Sequence, residues 1–73
     1  MITIKQVSGP SDAFVYLEAV SSVTPHVTRR RSISCAALAD GRVSIAAEKA
    51  ALLAEAEQAV TNWQAAQAAL QEI

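Results

Sequence analysis

The sequence predicts an α+β fold: a small, mainly antiparallel sheet of three to four short strands within residues 2–45, then one long C-terminal helix over about residues 46–72. Three observations carry that reading. Composition changes near residue 44: both prolines and both glycines lie before it, and an alanine-, glutamine- and glutamate-rich run with neither follows it. The first part alternates β-branched and polar residues, the pattern of half-buried strands. The second places apolar residues three and four apart, the spacing of one helix face. At 73 residues, a single domain spanning 1–73 is expected.

The stretch "ITIKQV" sets Ile2 and Ile4 against Thr3 and Lys5, a strand pattern, and "SGPSD" after it is a run of turn formers. "AFVYLEAV" admits two readings. Phe14, Val15 and Tyr16 favour a strand, whereas Ser11 and Asp12 offer caps for a short helix with Phe14, Leu17 and Val20 on one face. A strand is preferred, because a hairpin gives residues 2–7 a partner. "SSVTPH" reads as a loop, with Pro25 pushing Thr24 toward extended geometry. Residues 27–38 then read as a strand with Val27, Arg29, Arg31, Ile33, Cys35 and Ala37 on one side. Asp40-Gly41 is the strongest hairpin signal in the chain, and Val43 and Ile45 are expected to form a short return strand.

From about Ala46 onward, Leu52, Leu53, Ala56, Ala59, Val60, Trp63, Ala66 and Leu70 form one stripe, continuing from Ile45. Alanine, leucine, glutamate and glutamine all favour helix. A helix of about 28 residues is roughly 42 Å long, whereas a compact chain of this size has a diameter of roughly 30 Å. The helix is therefore expected to overshoot its sheet. Its apolar stripe nevertheless continues through Trp63 to Leu70, so the far half is expected to dock on another copy or another protein. The competing reading is that the sheet covers the first half and the tail frays or folds locally.

Composition narrows the function. Apolar residues make up 52% of the chain, which excludes disorder by composition, but much of that is alanine, and aromatics are only Phe14, Tyr16 and Trp63. So small and thin a core is expected to lean on a partner for stability. Net charge is −1. Residues 1–43 hold five basic against three acidic side chains, and residues 44–73 one basic against four acidic. That asymmetry suits head-to-tail contact between copies or a two-sided adaptor, and does not suit a dedicated polyanion binder. The start "MITIKQVSGP" shows no secretory pattern, and the chain offers no span of about 20 apolar residues for a membrane. With one unpaired cysteine, a cytoplasmic setting is expected, or an assembly made there.

"VTRRRSISC" is the stretch that most invites a chemical role. On a strand its arginines alternate between two faces, so Arg29 and Arg31 act together, with Arg42 able to join them. Two to four phosphate contacts would give weak, salt-sensitive nucleic-acid binding, and no aromatic interleaves with them to stack on bases. "RRRS" also matches a pattern that some serine kinases prefer, with Ser32 as acceptor, but it is short and common by chance, and a mid-strand serine is poorly presented. Protection of a sheet edge or contact with an acidic neighbour, such as the Glu55/Glu57 region of another copy, fits better.

Catalytic, metal and cofactor sites are not expected. One histidine and one cysteine make no zinc site, and Cys35 is expected to be a buried, inert strand residue. Glu55 and Glu57, two apart on a helix, do not face each other. No small-molecule substrate is implied. The reading is a non-catalytic protein–protein interaction or assembly module, a minor structural or adaptor subunit of a larger complex. A phage virion or accessory component is one setting it fits. Leu52, Val60, Trp63 and Leu70 are the candidate apolar contacts, and Arg29, Arg31 and Arg42 the polar ones. The alternative is a small regulator or inhibitor whose basic hairpin binds nucleic acid or an acidic protein surface.

Overall fold

Three strands, β1 (Ile2–Val7), β2 (Phe14–Ser21) and β3 (Thr28–Ser34), precede a short helix α1 (Cys35–Ala39) and a long helix α2 (Ile45–Leu70) in the computed structural model, which describes residues 1–23 and 28–72. The strands form an antiparallel meander in the order β1-β2-β3, and α2 packs across one face, an α+β arrangement. The strand reading of residues 14–20 holds because β2 is central, bonded on both sides. Of the predicted loop over residues 21–26, Ser21 instead ends β2, and residues 24–26, with the strand start at Val27, lie outside the described residues.

Register sorts the side chains. Ile2, Ile4, Val15, Leu17, Ala19, Arg31 and Ile33 share the face under α2, while Thr3, Lys5, Tyr16, Glu18, Arg30 and Ser32 share the opposite face. Leu17, Ala19 and Ile33 meet Leu52 and Ala56 of α2 in the core, flanked by Ile2, Ile4, Leu38 and Val43. On the opposite face the turn between β1 and β2 folds back over Tyr16. A Cβ at Gly9 would fall 2.0 Å from the Tyr16 ring, so only glycine allows that approach.

Two expectations are corrected after β3. The strand ends at Ser34, not at residue 38, because Ser34 caps a helix: its hydroxyl accepts from the Ala37 N–H at 3.3 Å. Cys35-Ala36-Ala37-Leu38-Ala39 is rich in alanine, which favours helix over strand. Cys35 is therefore a half-exposed helix residue, its thiol donating to the Asp12 carbonyl at 3.5 Å, rather than a buried strand residue.

Asp40-Gly41 likewise closes α1 rather than a β-hairpin. Gly41 adopts φ +80°, but Asp40 stays at −93°, whereas the expected hairpin turn needs both positive. The Gly41 N–H donates to Leu38 at 3.4 Å and the Arg42 N–H to Ala37 at 3.0 Å, the two bonds of a Schellman helix end. No return strand follows. Val43 packs on the core, Ser44 caps α2 through the Ala47 N–H, and Ile45 opens the helix.

Candidate interaction surface

Helix α2 buries one narrow stripe. Leu52, Ala56 and Ala59 are buried, and Glu48, Ala51, Val60 and Trp63 half-buried. From Gln64 through Glu72 every residue is exposed. Eighteen residues separate Leu52 from Leu70, five whole turns at 3.6 residues each, so both side chains leave the helix in the same direction. Leu52 is 0% exposed and Leu70 56% exposed. The core-facing stripe therefore outruns its cover: among the described residues Trp63 is half-buried, and Ala66 and Leu70 are exposed.

The overhang joins a second apolar feature. Met1, Ile2, Val23, Leu53 and Val60, with Ser21, Thr61 and the acidic Glu57, line an open groove where the start of β1 and the end of β2 meet α2. The Ser22 hydroxyl accepts from the Met1 ammonium at 2.9 Å and donates to the Met1 carbonyl at 3.1 Å, holding the groove's rim in place. Met1, Val23 and Leu53 are three of the exposed large apolar side chains, and Leu70, a fourth, lies about 15 Å further along α2 from Val60. Of these, the sequence pattern marks Leu53 and Leu70. Met1 and Val23 are brought in by strand pairing, Ile2 lying opposite Ser21, which α2's own periodicity does not record.

The candidate residues fall into separate environments. Leu52 is in the chain's own core, with no exposed surface. Val60 lines the groove, Trp63 is half-buried where exposure along α2 begins, and Leu70 is on the overhang. Arg31 faces α2, where its Nε donates to Glu48 and its Nη1 to Glu55 at 3.2 Å, so the acidic neighbour is this chain's own helix rather than another copy's. Glu48 first, by hydrogen bond and by charge, and Glu55 with it, hold the Arg31 guanidinium protonated more firmly than an ordinary arginine. Arg30 points to the opposite face and pairs with Glu18 at 2.9 Å. Arg42 pairs with Asp40 at 2.8 Å. Arg29 is exposed on the edge strand β3, beside Ala19 of β2.

The arginines thus do not gather on one surface, and three of the four already hold a carboxylate. A phosphate backbone would have to displace those partners, which weakens the basic-hairpin reading. Among the described residues no group of three or more His, Cys, Asp and Glu could hold a metal ion, and no helix is long and apolar enough to cross a membrane. His26 lies outside the described residues. The chain matches no protein-family model, no curated protein and no solved structure.

Proposed function

We propose that this protein is a non-catalytic interaction module, whose partner surface is the apolar stripe of α2 beyond the sheet together with the adjoining groove. The observation that carries this reading is the contrast between Leu52 and Leu70, one direction on one helix, sealed at one end and bare at the other. A helix with an apolar stripe is stable only when that stripe is covered, and here the cover is missing along the last turns. Trp63 at the boundary is the kind of large side chain that anchors interfaces. A minor structural or adaptor subunit of a larger assembly is the role that such a surface serves.

The test is photocrosslinking in the producing cell, with the crosslinker placed singly at Ala66 or Leu70 and, as a control, at Ala50 on the outer side of α2. Discrete adducts from the overhang and none from Ala50 are expected. Overhang positions that yield only uncrosslinked chain would defeat the proposal.

A further inference from the structure

We infer that the partner of the overhang is a second copy of this chain, bound antiparallel about a two-fold axis, with each Leu70 seated in the other's groove beside Val60. This rests on the reading of the overhang as a partner surface and adds its occupant. A two-fold interface uses one patch twice, so the patch must be complementary to itself. Residues 58–71 meet that demand, because they carry no ionisable side chain. The stripe of Trp63, Ala66 and Leu70 is flanked by Asn62, Gln64, Gln67 and Gln71, whose carboxamides both donate and accept and so can pair with their own kind. The carboxylates that bound this stretch, Glu57 at the groove and Glu72 at the helix end, leave the helix well round from Leu70, so the stripe itself meets its copy without charge.

Shape agrees. Placing Leu70 against the partner's Val60 puts the axis at residue 65, with Ala66 next to it, where a methyl side chain lets two helices approach closely. The overhang of each copy then lies in the layer of the other's sheet, so the pair is a two-layer structure with both stripes covered. A compact 7.7 kDa chain exposes about 4,300 Å², whereas this one exposes 4989 Å². The excess, roughly 700 Å², is the surface that an elongated chain with a helix standing clear of its sheet leaves open. Head-to-tail association, which the charge asymmetry of the sequence suggests, has less to work with, since Arg30, Arg31 and Arg42 are paired within the chain.

The test is sedimentation equilibrium of the full chain under reducing conditions, from about 1 μM to about 1 mM, the span over which weak and moderate association resolves. The wild type is expected to pass from monomer to dimer, with the emission of Trp63, the chain's single tryptophan, moving to shorter wavelength along the same curve. Ala66→Glu and Leu70→Glu change exposed positions, so each should keep the wild-type circular dichroism while weakening dimerisation at least about tenfold. A wild type that stays monomeric throughout overturns the inference, as does a dimer that both variants leave intact. The two readings separate at this point. A monomeric chain whose overhang crosslinks to a different protein in the cell loses the second copy but keeps the interaction surface. A monomeric chain that crosslinks to nothing loses both.

Discussion

Leu52 and Leu70 are the same side chain on the same side of one helix, and their surroundings differ in every respect that sets the cost of removing them. Leu52 is the largest fully buried side chain, in contact with the sheet's inner face. Leu52→Ala is expected to cost about 2–5 kcal/mol, the range for leucines in close-packed cores, a large share of what so small a domain has. Leu70→Ala, in dilute monomer, should change stability by no more than about 0.5 kcal/mol. Urea unfolding of the two variants at low micromolar concentration makes the comparison. The arginines allow a similar ordering. Arg31 bridges two carboxylates of α2, whereas Glu18 keeps Lys5 as its cross-strand neighbour when Arg30 is lost. Arg31→Met should therefore lower the melting temperature more than Arg30→Met, by thermal unfolding in low salt. The sign of any pH effect follows from the raised pKa of Arg31. A base held above its unfolded value contributes stability that is fully present below that value and lost only as pH rises through the folded one. For an arginine that window lies beyond ordinary handling, so the Arg31 contribution should be flat between about pH 6 and pH 10. A fall within that range would show the ion pair is not what Arg31 supplies.

The ends of the elements are set by small polar residues and one glycine. Ser44 accepts from the Ala47 N–H where α2 begins, and Ser44→Ala is expected to cost about 1 kcal/mol, read from the shift in urea midpoint at unchanged slope. Gly41, with φ +80° and open space around its missing Cβ, should resist substitution for backbone reasons alone. Gly41→Ala is expected to cost about 1 kcal/mol without disturbing the packing of Val43. These two positions also show how far the elements were legible. The β1–β2 hairpin and α2 could be read directly, because alternation at Ile2 and Ile4 and the stripe through Leu52, Ala56 and Ala59 each repeat several times. Asp40-Gly41 could be read as a positive-φ site but not as a β-turn or a helix end, since the glycine serves both. What decided it was Ser34 followed by Cys35-Ala36-Ala37-Leu38-Ala39, a cap before good helix formers, which a strand with arginines leading into it had masked. The ion pairs of Arg31 were legible only in part: the sequence set the arginines against the Glu55/Glu57 region, but of another copy, and did not single out Glu48. They depend on which face of β3 meets α2, and the alternation of β3 fixes two faces without saying which one is covered.

At the scale of the whole molecule, α2 is too long for the sheet beneath it. Its 26 residues span about 39 Å, and the molecule extends 52 Å in its long direction against 22 and 17 Å in the others. The radius of gyration is 14.9 Å, where a compact chain of this length would have about 11 Å. The overshoot was legible from length alone, because rise per residue and domain size are both general quantities. The groove that adjoins it was not, because it needs the meander to bring Met1 and Val23 to α2. Stability should follow the same division. Turns of α2 that cover the sheet are held by tertiary packing, whereas the turns after Trp63 in a monomer rest on propensity alone, and isolated helical segments of that length are marginal in water. Hydrogen exchange on dilute chain should therefore show a step along one continuous helix. Amides of residues 49–60 should open only with global unfolding, while those of residues 66–70 should exchange by fraying, with protection lower by at least about a hundredfold. Uniform protection from Leu52 to Leu70 at a concentration where the chain sediments as a monomer would mean that the overhang is stabilised from within. The bare end of α2 would then no longer be a reason to look for a partner.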